Sequence, residues 1–173
     1  GGDSGAGYLN PNLLTGDRLG SGMPDALSLW IKHNKAYYKR FDYSITGFVI
    51  NGFHGKMPLA VQKAYAKFSP DGVGMQLAYE KPIVDGVPFL RHVSDIYPDL
   101  NDLEKTAKQM ASFARPGKPQ FLIFRMILQK PGTVMAVRDL LAAKFPEHNW
   151  DFCDPYTFFD LYKRTLEAKG KAK

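Results

Sequence analysis

Cysteine occurs once, at Cys153, so no disulfide can close within the chain and no cysteine cluster can hold a zinc ion. No apolar run approaches the roughly 20 residues that a bilayer-crossing helix requires, so no membrane span is expected. The Gly-Gly-Asp-Ser start has neither the charged nor the apolar region of a signal peptide, and it lacks Met, which predicts a mature or trimmed N-terminus. Three reaction signatures are missing: the nucleophile elbow Gly-x-Ser-x-Gly, the phosphate loop Gly-x-x-x-x-Gly-Lys and the zinc motif His-Glu-x-x-His. Gly2 to Gly7 (GDSGAG) is glycine-rich, but no strand precedes it, which argues against a dinucleotide fingerprint. No cofactor and no metal are therefore expected.

What is present is a globular composition. With 45% hydrophobic and 23% charged residues, 173 residues can bury one substantial core. The net charge is +6, and Lys169, Lys171 and Lys173 of the tail supply three of those charges, leaving +3 for the rest. Most other lysines fall on polar helix faces, which reads as a solvated surface and predicts no nucleic-acid partner.

The first 22 residues hold seven of the sixteen glycines and show no apolar period, which marks a long Gly-rich loop over 1–22. Periodicity then predicts a helix from Pro24 to Arg40, a strand from Ser44 to Ile50, a loop from Asn51 to Met57 and a helix opened by Pro58. Strands are predicted over Val73 to Ala78 and Val87 to His92, with Pro88 favouring an edge or a strand start. A third helix carries the stripe Leu100, Leu103, Ala107, Met110, Ala111 and Ala114. Asn101 and Glu104 have capping-box spacing at its start, and Glu104 and Lys108 have the spacing of an ion pair. Gln120 to Leu128 is the strongest strand candidate, followed by a helix from Thr133 to Phe145, a short strand from Asn149 to Cys153 and a helix capped by Asp154.

This alternation predicts an α/β fold, a mainly parallel sheet with flanking helices, over an α/β domain at 23–168 with a basic tail at 169–173. A complete eightfold barrel takes about 250 residues, so the chain fits a partial (β/α) barrel or a small open sheet. Ligands collect at the carboxyl ends of parallel strands in either case. That rule singles out Asn51, His54, Gln76, Tyr79, Glu80, Arg91, His92, Arg125, Asp151 and Asp154. Arg125 stands inside an apolar strand, so it either binds substrate or pairs with a carboxylate such as Glu80 or Asp151. Tyr79 and Trp150 stack on sugars or fill the core.

Gly5-Ala6-Gly7-Tyr8-Leu9-Asn10-Pro11 places one aromatic between two flexible glycines and a rigid proline. These residues resemble the Gly-x-Gly-Tyr-x-Tyr-Pro signature of a family of bacterial proteins grouped with glycoside hydrolases and named for that motif. Gly86 to Phe89 (GVPF), Lys118 to Phe121 (KPQF) and Asp154 to Phe159 (DPYTFF) are similar to later segments of the family. Asn10 stands where the motif has its second tyrosine, and the family's upstream Asp-Gly-Asp-Asn strand end has no counterpart here.

The resemblance implies the C-terminal portion of a larger carbohydrate-processing enzyme, in an extracellular or periplasmic setting. Its partners would be a carbohydrate substrate and the N-terminal portion of the same protein. Cleaving a glycosidic bond takes two carboxyl groups roughly 5 to 9.5 Å apart. Glu80 and Asp151 are the best local candidates, with Asp3 beside the motif as a third. Gly5, Gly7, Tyr8, His54, Arg91 and Arg125 would bind the sugar. Two other readings stay open: a non-catalytic module that binds glycans or props up a neighbouring domain, and a basic module that binds an anionic polymer.

Overall fold

The structure, a computed structural model, describes residues 9–15, 24–50 and 55–171. The described residues of Gly1–Arg91 and Asp154–Lys173 form one compact unit, and His92–Cys153 forms a second.

In the first unit, helix α1 (Leu27–Arg40) buries Trp30, Asn34 and Tyr38, spaced four residues apart on one face. The helix begins three residues after the expected Pro24, because Asp25 Oδ1 accepts the Leu27 N–H at 2.9 Å in a local turn before it. Next come strand β1 (Ile45–Thr46), helix α2 (Leu59–Ala66), strands β2 (Gly72–Met75), β3 (Ile83–Val84) and β4 (Val87–Arg91), and, after the second unit, helix α5 (Pro155–Lys171). The sheet order is β1-β2-β4-β3, with β1, β2 and β4 parallel and β3 antiparallel to β4. Asp85 (φ 50°) and Gly86 (φ 79°) join β3 to β4, the pair of positive φ values that a tight two-residue hairpin turn needs.

Rings fill this core. Trp30 meets Tyr65 edge-on at 4.9 Å and Phe68 at 5.2 Å, locking α1 to α2. The Tyr38 hydroxyl bonds Thr46 Oγ1 at 2.6 Å, which ties α1 to β1. On β2, Gly72 lies under the Phe159 ring of α5, where an added Cβ would come within 2.3 Å of Phe159 Cγ. Pro88 stands at the start of β4, its second residue, and not on an edge, since β4 lies between β2 and β3.

The second unit holds strand β5 (Ser94–Ile96), helix α3 (Leu103–Ala111), strand β6 (Phe124–Met126) and helix α4 (Pro131–Lys144). β5 and β6 are parallel, and Ile96, Ala107, Met110, Ala111, Val137 and Leu141 form their core with the two helices. Each unit is α/β, with a mostly parallel, open sheet in the first and a two-stranded parallel one in the second, both flanked by helices and neither closed into a barrel. No described helix is long and apolar enough to cross a membrane.

Several expected elements change. Asn149 to Cys153 is not a strand: Asn149 takes a left-handed conformation (φ 50°), and the Trp150 indole N–H donates to the Phe145 carbonyl at 3.1 Å, folding the segment back on the end of α4. The strands expected over 44–50 and 120–128 shrink to β1 and β6. The α3 cap is Asp102, which accepts the Lys105 N–H, rather than Asn101. Glu104 pairs with Lys144 at 3.4 Å rather than with Lys108.

Candidate functional site

Because β1, β2 and β4 are parallel, their carboxyl ends lie along one edge of the first unit's sheet. Arg91 ends β4 opposite Met75, and its Nε donates to the Gln76 carbonyl at 3.2 Å, so its guanidinium reaches across to the end of β2. The connection from β1 into α2 starts at the same edge. There the Met57 N–H donates to the Ala78 carbonyl at 2.8 Å, and Met57 bridges Tyr79. This holds the segment after β2 beside the start of α2.

That pairing presents Glu80. Its carboxylate lies 3.6 Å from Lys56 Nζ, and the two side chains are 42% and 52% exposed, so the ion pair is open to solvent and competes weakly with a ligand. The backbone beneath it is fixed. Gln62 in the first turns of α2 is fully buried; its Oε1 accepts the N–H groups of Glu80 (3.0 Å) and Lys81 (3.1 Å), and its Nε2 donates to the Lys81 carbonyl at 2.7 Å. Three of the four hydrogen bonds that one buried amide can make thus go to the Glu80–Lys81 turn. Sequence reasoning passed over Gln62; its signal was an amide set directly beside Val61 and three residues before Tyr65, on the buried side of α2.

The other expected site residues are scattered. Asp151 is exposed in the irregular segment of the second unit, so neither unit by itself holds the Glu80–Asp151 pair. Arg125 meets the carboxylate of Asp95, a partner that the sequence did not single out. Its Nε donates to Asp95 Oδ1 at 2.9 Å and its Nη2 to Asp95 Oδ2, a two-pronged contact between residues in register on β5 and β6. Asp3, Gly5, Gly7, Tyr8 and His54 lie outside the described residues.

Asp154 caps α5: Oδ2 accepts the Thr157 hydroxyl at 2.6 Å, and Oδ1 accepts the N–H groups of Thr157 and Tyr156. The Thr157 hydroxyl and backbone hold its carboxyl below the usual range. Tyr79 packs against the first unit's core with its hydroxyl 3.3 Å from that of Tyr162, which donates to the Phe89 carbonyl at 3.4 Å. Burial and then the Tyr79 contact push the Tyr162 phenol up. Trp150 is half-buried against the second core, near-parallel to the exposed Phe152 ring at 6.3 Å.

The strand edge therefore offers an accessible carboxylate on a fixed turn (Glu80), a cation beside it (Lys56) and a guanidinium on a backbone carbonyl (Arg91 on Gln76). A carboxylate and a guanidinium of this kind hydrogen-bond hydroxyl-rich ligands, and a carboxyl group can also donate or accept a proton in a reaction. Comparison with protein-family models, curated proteins and solved structures finds no match for this chain.

Proposed function

We propose that the chain is a carbohydrate-active domain, the C-terminal part of a glycoside hydrolase acting on glycosidic bonds of oligo- or polysaccharides. Glu80 is the carboxylate it contributes, and Arg91 binds sugar hydroxyls. One observation carries this reading: buried Gln62 makes three hydrogen bonds to the Glu80–Lys81 backbone, and the Glu80 side chain stays open to solvent. A surface glutamate with no task has no use for so rigid a mount, whereas an acid or base in catalysis must be held within hydrogen-bond reach of one ligand atom. The motif resemblance at Gly5 to Pro11 supports the same class. The second carboxyl group then comes from Asp3 or the N-terminal portion.

The test is reducing-sugar release from polysaccharides by the longer protein that encloses this chain, with and without Glu80→Gln. The expected result is a loss of about 10²- to 10⁴-fold in turnover, the scale of removing one general acid or base, with an unchanged melting temperature. Full turnover in that variant would overturn the role of Glu80. A second reading, a non-catalytic glycan-binding module, is favoured by the exposed rings of α1. Glycan binding without cleavage in any length of the protein would decide for it.

A further inference from the structure

Two buried amides of the first unit differ sharply in how they are satisfied. Gln62 has no exposed surface and makes three hydrogen bonds. Asn12 is only 8% exposed, yet neither its Oδ1 nor its Nδ2 meets a hydrogen-bond partner among the described residues, and Nδ2 of Asn10 meets none there either. Both belong to residues 9–15, a short strap whose 3-10 turn (Pro11–Leu13) lies ahead of α1. A buried amide atom without a partner gives up the hydrogen bonds to water that it makes in an open chain. Three such atoms within three residues therefore oppose the docking of the strap.

Apolar side chains pull the other way. Leu14 enters the first unit's core, half-buried Leu9 packs against that core, and Pro11 is covered. The Leu14 carbonyl accepts the Ala26 N–H at 2.9 Å, which ties the strap to the entry of α1. Within the strap the bonds are local: Asn10 Oδ1 accepts the Asn12 N–H at 3.0 Å, and the Leu13 and Leu14 N–H groups donate to the Asn10 and Pro11 carbonyls, both at 3.1 Å. A lone 3-10 turn does not persist in water, so these amides lose their protection whenever the strap lifts. Among the described residues, three apolar side chains are thus set against three stranded polar atoms. Such a balance lets a segment open at a free energy well below that of global unfolding.

We propose that residues 9–15 form a latch, a strap that closes on the first unit through Leu14 and opens on its own, without unfolding of the sheet, because closure strands the amides of Asn10 and Asn12. Opening returns both amides to water and uncovers the recess that Leu14 fills in the core. Asn10 and Pro11 also end the Gly5 to Pro11 segment, so the latch governs how the C-terminal end of that segment is held. The proposal does not depend on the carbohydrate reading. The test is amide hydrogen exchange in the unaltered chain and in Asn12→Leu, which keeps a branched side chain, removes the stranded amide and leaves the backbone N–H of that position on Asn10 Oδ1. In the unaltered chain the Leu14 and Ala26 amides should exchange about 100-fold faster than the Phe89 amide, which lies in the core strand β4 and donates to the Pro82 carbonyl at 2.9 Å. Low urea should raise the Phe89 rate and leave the other two unchanged, since a local opening exposes little surface. Asn12→Leu should slow exchange at Leu14 and Ala26 by about tenfold, and Leu14→Ala should speed it at Ala26 by about tenfold.

Exchange at Leu14 and Ala26 that is as slow as at Phe89, and that rises with urea in step with it, overturns the latch, because the strap then unfolds only with the sheet. Exchange in Asn12→Leu that is unchanged or faster also overturns it, because the Asn12 amide then costs nothing or holds the strap closed. The comparison of Leu14 and Ala26 with Phe89 needs no variant, so it decides the proposal even where Asn12→Leu does not fold.

Discussion

At the scale of single residues, Gln62 and Glu80 form one device. Gln62 has no exposed surface, and its amide satisfies two N–H groups and one carbonyl of the Glu80–Lys81 turn. Gln62→Leu keeps the volume but strands those groups in a dry site, so a stability loss of about 2 to 4 kcal/mol is expected in urea unfolding. The amides of Glu80 and Lys81 should also exchange with solvent faster than in the unaltered protein; slow exchange there in the variant would mean that other bonds hold the turn. Tyr162 gives a pH signature. Burial holds its phenol above the ordinary value of 10.0, and burial does the same to Tyr38. Above about pH 10 the unfolded chain loses these protons while the folded chain keeps them, so the stability they contribute is whole below that value and falls as pH rises. Melts from pH 8 to 11 should show that decline, and Tyr162→Phe should make it shallower.

At the scale of elements, α5 is chained to the first unit by shape. Phe159 rests on the bare backbone of Gly72, so Gly72→Ala should displace the ring and lower stability by about 2 to 4 kcal/mol, while an exposed glycine such as Gly132 should accept alanine with little change. Thermal melts of the two variants side by side check this. The elements legible from sequence were those with long period and clear punctuation: all five helices, and β1, β2, β4 and β6 as cores of longer predicted strands. Lost were β3 and β5, of two and three residues, too short to show alternation against their polar neighbours. Missing β5 also hid Asp95, and with it the partner of Arg125; the need for a carboxylate was legible in the apolar run, but its identity depended on register between two strands. Trp150 drew Asn149 to Cys153 toward a strand, whereas a hydrogen bond from its indole to the end of α4 took precedence over β propensity. At the site, the strand-end rule found Glu80 and Arg91, but no local pattern could reveal that Gln62, eighteen residues before Glu80, holds its turn.

At the scale of the whole molecule, charge and architecture mark separate features. Three of the six excess positive charges lie in the tail, but four cations gather on α1, so a modest net charge conceals a locally basic face. The acidic Glu80 belongs to a different feature, the edge where parallel strands end, which is where α/β folds place their ligands. The most direct measurement is a titration of oligosaccharide into isotope-labelled protein, followed by amide chemical shifts. The expected result is saturable perturbation at Gln76, Glu80, Lys81 and Arg91. Perturbation that leaves all four of these amides unmoved at saturation would contradict the assignment of the sheet's carboxyl edge as the carbohydrate site.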